Sequence, residues 1–451
     1  MHGLFGTDGV RGIANDFLNC ERAMQIGRAV GSLLSRKRRY HPLVLIGQDT
    51  RLSSEMLASA VTAGLCSVGA DVIRLGTVST PAVAFLVEKY KARAGIMISA
   101  SHNPYEFNGI KIFDEEGFKF PDELEERIES IVLDNTPAPV MAQSNEIGTV
   151  SFSERAHRDY MAHIRASVSH SLDGLHIALD CANGSAVATA EELFNSLGAR
   201  CDVLANTPDG VNINRDCGST HLEHLARYVR EHGLDCGIAF DGDADRCLAV
   251  DEMGNEIDGD MIMAAIALDM KGRGKLAKNT LIGTIMTNLG LRKFCEEYGI
   301  DFIDTKVGDR YVLERIELGG FSFGGEQSGH IIFRDFATTG DGQLTAAQLL
   351  SLMARTGKKL SELASVMKKY PQCTVNVNTT PEAKLAFYTD PDIKDIIDSL
   401  EEKLGAQGRA VVRPSGTEPF IRIMVEGEDQ RAIQEMADDA AEEIAAVLAR
   451  Y

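Results

Sequence analysis

The sequence predicts an α/β protein of several domains, and three observations carry that expectation. Apolar strand-like runs alternate with segments of helical period over most of the chain. At 451 residues the chain is too long for one hydrophobic core, so three or four domains are expected. From Gln372 onward the order becomes strand, helix, two strands and a last helix, which marks a small α+β domain at the end.

The first unit begins with the strand LVLIGQDTR (43–51), followed by the helix SSEMLASAVTAGLCSVGA (53–70), for which Ser53 or Ser54 is the expected cap. DVIRLG (71–76), the helical PAVAFLVEKYKA (81–92) and the strand AGIMISA (94–100) complete it. Residues 134–150 carry Pro and Ser without helical period and read as a connection. A second unit runs through a helix in 153–168, strand HIALD (176–180), turn CANGS (181–185) and helix 186–199. It continues as strand CDVLAN (201–206), helix 221–233 and strand CGIAFD (236–241). The third follows residues 258–274, with strands TLIGTIM (280–286) and DFIDTKV (301–307) around helix 290–299. A final helix or helix pair is expected from Asp341 to about Lys369.

Composition narrows the function. With 46 basic and 66 acidic residues the net charge is -20, which argues against broad nucleic-acid or anionic-membrane binding. A few Arg and Lys in one cleft could still receive an anionic small molecule. Nine dispersed cysteines without a C-x-x-C pair read as reduced thiols. No signal peptide opens the chain and no run approaches the roughly 20 apolar residues of a membrane span, so a cytoplasmic protein without membrane insertion is expected.

FDGDADR (240–246) is the strongest local signal. Asp241, Asp243 and Asp245 alternate with two small residues directly after a buried strand. Three carboxylates so close repel one another unless a cation sits among them. Alternation on an extended loop would point all three one way, and an oxygen-only set suits Mg²⁺. An EF-hand is rejected, because Arg246 stands where the tight turn requires Gly and strands flank the loop.

In SASHNPYEFNGIK (99–111), Ser101 and His102 lie where a strand runs out, with no G-x-S-x-G elbow. Asn103-Pro104 and Asn108-Gly109 are turn dipeptides that fix the loop, and Lys111 can supply a cation or a proton. Alone, the loop is equally readable as an ordinary turn. RPSGTEPFIRI (413–423) gathers Arg413, Ser415, Gly416, Thr417 and Arg422 into a phosphate-clamp candidate, with a plain hairpin as the alternative. GGEQSGHII (324–332) sets Glu326, Ser328 and His330 at alternate positions, where they could read sugar hydroxyls and His330 could act as acid or base. Two cationic loops are expected, FGTDGVRG with Thr7 and Arg11 and KVGDRYV with Lys306 and Arg310, each weak alone. His221 and His224 lack partners for a zinc set, and no nucleotide-binding glycine motif is present. Together these groups suggest phosphoryl transfer on a small phosphorylated polyol, without a nucleotide.

The ordered motifs FGTDGVRG, SASHNP, NGIK, DGDADR, VGDRYV, GGEQSGH and RPSGTEPFIR resemble those of the α-D-phosphohexomutase superfamily and, within it, the bacterial phosphoglucosamine mutases. The FGTDGVRG opening and Gln327 carry the amino-sugar part of the likeness. The resemblance implies four domains around a central cleft, with limits near 1–152, 153–254, 255–370 and 371–451. It implies a phosphoserine at Ser101, with Mg²⁺ held by Asp241, Asp243, Asp245 and that phosphate. Arg246, Lys111 and His330 would be catalytic, Glu326, Ser328 and His330 would bind the sugar, and the 413–422 clamp would hold the other phosphate. Thr7, Arg11, His102, Asn103, Lys306 and Arg310 would support them. The implied reaction interconverts glucosamine 6-phosphate and glucosamine 1-phosphate through glucosamine 1,6-bisphosphate, toward UDP-N-acetylglucosamine, and a homodimer is implied as well. The same chemistry on mannose or glucose phosphates is the nearest alternative. A phosphoserine-dependent phosphatase and a non-catalytic sugar-phosphate sensor are the more distant ones.

Overall fold

The structure, a computed structural model, describes residues 3–6, 8–35, 41–415 and 419–451. Thr7, Gly416 and Thr417 lie outside the described residues. Four sheets follow one another along the chain.

The first has six strands in the order Val10–Ile13, Phe107–Phe113, Ala94–Ile98, Leu43–Gln48, Asp71–Thr77 and Val150–Phe152. Its centre is parallel, and Ala94–Ile98 turns back antiparallel onto Phe107–Phe113. All five residues of Ala94–Ile98 are buried, as a strand covered on both faces requires. Ser101 leaves the carboxyl end of this strand, the edge where α/β sheets bind ligands.

The second sheet runs Glu256–Ile257, Cys247–Asp251, Cys236–Phe240, His176–Asp180 and Arg200–Leu204. The hairpin between Cys236–Phe240 and Cys247–Asp251 carries the acidic loop at its tip. The third places Thr280–Thr284 between Asp301–Thr305 and Phe323–Gly325, with Ile331–Phe333 antiparallel at the edge. The last is an antiparallel trio, with Phe420–Glu426 between Gln372–Asn378 and Arg409–Pro414. Asp341 caps the helix Gly342–Thr356 by accepting from Leu344 N, and Leu360–Ala364 follows as the second of the expected pair.

One buried apolar cluster runs from Val83 and Phe113 in the first domain through Phe240 in the second to Phe323 and Leu350 in the third. The C-terminal domain closes its own core around Ile393, Ile421, Ile423 and Ile444. Polar contacts help join it to the third domain: Asn288 Nδ2 donates to Glu426 Oε1, and Arg409 bridges Glu426 to the carbonyls of Ile285 and Thr287. All nine cysteines are free, and all but Cys20 and Cys201 are buried. Among the described residues, no helix is long and apolar enough to cross a membrane.

Local expectations needed correction in four places. The helix Ser54–Ser67 starts as expected, but neither the Ser53 nor the Ser54 hydroxyl caps it by accepting a backbone N–H. Both accept instead from Asn108 Nδ2, and Ser54 Oγ donates to Asp49, so the hydroxyls serve the serine loop. The connection 134–150 ends in the edge strand Val150–Phe152, which joins the first sheet beside Val72–Arg74. The two expected cationic loops are not loops throughout, since Val10 opens the strand Val10–Ile13 and Asp309 opens the helix Asp309–Gly319. The acidic loop is a tight turn rather than an extended segment, with Ala244 at φ 55°.

Candidate active site

Ser101 sits at φ 51°, in the left-handed region that a serine adopts only when its surroundings hold it there. The holding groups come from two domains. Arg51, wholly buried and paired to Asp49, donates through Nη2 to the carbonyls of Ser101 (2.9 Å) and Asn103 (2.8 Å) and through Nη1 to those of Pro104 and Phe107. Asn214, from the second domain, donates to the same carbonyls of Ser101 and Asn103 at 2.9 and 3.1 Å. Ser101 N–H donates to Ser99 Oγ, which donates in turn to Asp49. Arg11 joins the amino-terminal loop to this one through Asn103 Oδ1 at 2.9 Å. The serine is therefore presented on a frame tied at both ends.

The acidic loop meets it across the domain boundary. Ser101 Oγ donates to Asp241 Oδ2 at 2.7 Å. Asp241, Asp243 and Asp245 are buried, and each offers an oxygen within 4.8 Å of the others. Asp243 Oδ1 and Asp245 Oδ1 are buried carboxylate oxygens without a hydrogen bond. Burial and the neighbouring carboxylates Asp245 and Asp243 push the Asp241 carboxyl well above its usual range. An oxygen-only cluster with orphaned oxygens and a destabilised charge fits a hard divalent cation.

Two side chains answer that charge. Lys111 Nζ, fully buried, lies 3.0 Å from Asp243 Oδ2, 3.4 Å from Asp245 Oδ2 and 3.1 Å from Asp8 Oδ2. Burial disfavours its ammonium, but Asp243, Asp8 and Asp245 outweigh burial and lift its pKa well above the ordinary value. In this constellation Lys111 is held as a cation beside the triad. For Asp245 burial again raises the value, and the Lys111 and His330 charges overcome it and hold the carboxyl well below its usual range. Arg246 donates its backbone N–H to Asp241 Oδ1, while its guanidinium Nε stands 4.0 Å from Asp245, beyond hydrogen-bond reach.

His330 comes from the third domain and is buried, with Nδ1 3.6 Å from Asp245 Oδ2. Gly340 N–H donates to its Nε2 at 3.0 Å, which places the ring proton on Nδ1, facing Asp245. Gly340 also seats the ring, since a Cβ there would lie 2.5 Å from Nε2. Burial lowers the tendency of His330 to protonate and the Asp245 carboxylate raises it, with a net upward shift. His102 behaves oppositely: burial, then the Arg246 and Arg11 charges, push it down to about 4, so it stands neutral with Nδ1 3.3 Å from Ser101 Oγ.

The remaining residues separate into those that gather and those that do not. Glu326 and Ser328 lie with His330 in the turn between Phe323–Gly325 and Ile331–Phe333, where Glu326 Oε1 accepts from Gly308 N–H. Gln327 donates to Asp258, and Ser328 faces a cleft that it shares with Lys369 and Thr374 of the C-terminal side. Arg413 and Arg422 are cross-strand partners in the last sheet. Arg413 Nε is buried without a hydrogen bond, and burial together with the Arg422 charge lowers its pKa. Lys384 Nζ donates to Ser415 O beside them, a cation that the sequence reading did not select. Lys306 and Arg310 do not join the serine. Lys306 is exposed over the Tyr311 ring, and Arg310 pairs with Asp122 and Glu125 on the first-domain helix Asp122–Asp134.

Sequence reasoning also passed over Asp8, Asp49, Arg51, Thr80, Lys119, Asn214 and Asp309. Thr80 donates to Asp243 Oδ2 at 2.6 Å. Asp49 and Arg51 were signalled by their position at the end of the strand Leu43–Gln48, the edge that also carries Ser101. Asn214 lies in a loop whose composition is ordinary turn chemistry and gave no such sign.

Four family models match the chain: the phosphoglucomutase/phosphomannomutase alpha/beta/alpha domains I, II and III over residues 2–138, 158–254 and 258–370, and the C-terminal domain over 357–443. The chain belongs to the phosphoglucomutase/phosphomannomutase family. Within this family it is 51% identical over 437 residues to the phosphoglucosamine mutase of Acetivibrio thermocellus, covering 97% of each chain. It is 52% identical over 442 residues to that of Caldanaerobacter subterraneus subsp. tengcongensis, covering 98% of each. Its fold matches a family protein from Burkholderia thailandensis with a TM-score of 0.81 at 24% identity, covering 99% of this chain and 98% of that one. The N-acetylphosphoglucosamine mutase of Aspergillus fumigatus, solved with GlcNAc-6P and magnesium, shares the fold at a TM-score of 0.70 and 16% identity, covering 99% and 96%.

Proposed function

We propose that this chain interconverts glucosamine 6-phosphate and glucosamine 1-phosphate, with Ser101 as the phosphoryl carrier and glucosamine 1,6-bisphosphate as the intermediate. The observation that carries the reading is Ser101 Oγ, 2.7 Å from a buried cluster of three aspartates. The site stands in a chain 51% identical to a phosphoglucosamine mutase over nearly its whole length.

Asp241, Asp243 and Asp245, with the phosphate of Ser101, would hold Mg²⁺. When bound, Mg²⁺ supplies the charge neutralisation that phosphoryl transfer depends on. The chain's own residues do the rest. Arg51 and Asn214 fix the carrier's angle, and Lys111 keeps a cation beside the triad. In the first half-reaction the bond from phosphorus to Ser101 Oγ breaks and a bond to sugar O1 forms, with the O1 proton passing to a base. Lys111 and His330 are the two buried groups beside the triad that could take or return it. After the bisphosphate turns over, O6 returns its phosphoryl group to Ser101 and regains a proton. Arg413 and Arg422 would grip the phosphate that is not reacting, and Glu326 and Ser328 would bind sugar hydroxyls. The cation pair matters for a chain of net charge -20, whose general field repels a dianionic substrate.

Turnover of glucosamine 6-phosphate is compared with turnover of mannose and glucose phosphates, with Mg²⁺ and catalytic bisphosphate present. The reading expects a clear preference for the amino sugar. Preference for either hexose phosphate overturns the substrate assignment, and steady release of inorganic phosphate overturns the mutase.

A further inference from the structure

Behind the reacting groups lies a closed ring in which Lys111, Lys119 and His330 alternate with carboxylates, each member within 3.6 Å of the next. Lys111 Nζ is 3.1 Å from Asp8 Oδ2, and Asp8 Oδ1 is 2.5 Å from Lys119 Nζ. Lys119 Nζ is 2.5 Å from Asp309 Oδ2, which stands 3.6 Å from His330 Nε2. His330 Nδ1 is 3.6 Å from Asp245 Oδ2, and Asp245 returns to Lys111 at 3.4 Å. The first domain supplies Lys111, Asp8 and Lys119, the third Asp309 and His330, and the second Asp245.

We infer that Asp8 and Lys119 are positioning residues, which hold Lys111 against the aspartate cluster and tie Asp309, and through it His330, to the first domain. Three features of the ring support this. Asp8 meets three cations at once, Arg11, Lys111 and Lys119, so its carboxylate fixes their relative places. Within the ring Lys119 crosses from the first domain to the third, beside the Arg310 pair with Asp122 and Glu125, with its side chain 15% exposed and Asp309 18% exposed. At that burial a charge pair is screened far less than at the surface, and breaking it leaves one charge uncompensated. Asp309 is moreover the first residue of its helix, where a carboxylate is favoured and the backbone is fixed. The ring thus converts the packing of two domains into the spacing of Lys111 and His330, the two groups to which the proposed mutase assigns charge neutralisation and proton transfer. The inference rests on that reading of the site.

The test uses the full chain in four variants: Lys119→Met, Lys119→Arg, Asp309→Asn and the Lys119→Met/Asp309→Asn double. A displacement near 1 Å at reacting groups costs about 100-fold, so Lys119→Met is expected to lower kcat about 10- to 100-fold with KM within about threefold. Lys119→Arg keeps a cation between the two carboxylates and is expected within about fivefold of wild type, a rescue that mere packing does not provide. The double variant is expected to match the worse single one within about threefold, because both break the same link. Without substrate or metal, backbone amides of residues 308–310 should exchange faster in Lys119→Met and at the wild-type rate in Lys119→Arg. Should Lys119→Met not fold, Asp309→Asn, of equal size, carries the same expectation for kcat. An unchanged kcat in Lys119→Met, no rescue by Lys119→Arg, or multiplying effects in the double variant each overturn the inference. Wild-type chain without mutase activity overturns the functional reading instead, and amide exchange then still tests the ring.

Discussion

Gly242 separates Asp241 from Asp243, and its hydrogen faces the serine loop. A Cβ at this position would lie 2.5 Å from Ser101 O, 2.9 Å from Asn214 Nδ2 and 2.9 Å from Ile213 Cδ1. Ordinary carbon–oxygen contacts lie near 3.3–3.6 Å, so Gly242→Ala leaves a shortfall of roughly 0.8–1.1 Å against backbone. The carbonyl cannot simply retreat, because Arg51 and Asn214 each hold it at 2.9 Å. The overlap must instead push the acidic loop away from Ser101 and stretch the 2.7 Å bond between Ser101 Oγ and Asp241. Overpacking of this kind costs about 1–3 kcal/mol, which lowers the thermal midpoint by a few degrees. The same displacement at reacting groups lowers kcat about 100-fold. Initial rates of glucosamine 1-phosphate formation and thermal unfolding, measured on one preparation, give both numbers. Wild-type values for both would show that the loops have slack, and the argument that one loop's position fixes the other would be refuted.

Asn214→Ala removes two hydrogen bonds to carbonyls that keep their Arg51 partners, so unfolding should cost only about 1–2 kcal/mol less while kcat falls about tenfold. A loss of stability with kcat unchanged would remove Asn214 from the serine frame. Arg413→Met deletes one of two facing guanidiniums, so KM for the sugar phosphate should rise about tenfold or more with no loss of thermal stability. An unchanged KM places the phosphate elsewhere. His102 titrates at about 4 in the folded chain against 6.5 when free, so the unfolded chain takes up the proton first as pH falls. Its contribution is therefore present at pH 7 and lost as pH drops from about 6.5 toward 4, and His102→Gln should flatten that part of the stability profile. An identical profile in the variant would contradict it.

What the sequence disclosed depended on whether a signal was local. The strand Ala94–Ile98 and the acidic hairpin tip were legible, because continuous apolar runs end in polar loops at both places. The Asp triad was legible because three like charges within five residues need a cation. Ser101 became interpretable only through that triad, and its left-handed backbone left no trace in the letters. The partners of Arg310 were not legible, because a cation in a motif says nothing of which carboxylate it will meet. Across the domain boundary it met Asp122 and Glu125. Asp8, Lys119 and Asp309 were missed for the same reason: each is unremarkable alone and acquires a role only when two domains pack. The Ser53 cap failed because Asn108, far along the chain, competes for the hydroxyl.

The central claim is that Ser101 carries the phosphoryl group. It is tested most directly by incubating the chain with glucosamine 1,6-bisphosphate labelled in its phosphates, with Mg²⁺, and locating the label by peptide mass analysis. The account predicts one labelled phosphate on Ser101 that chases into glucosamine 6-phosphate and glucosamine 1-phosphate when unlabelled substrate follows, and none in inactive Ser101→Ala. An active chain whose Ser101 never carries the label would contradict it.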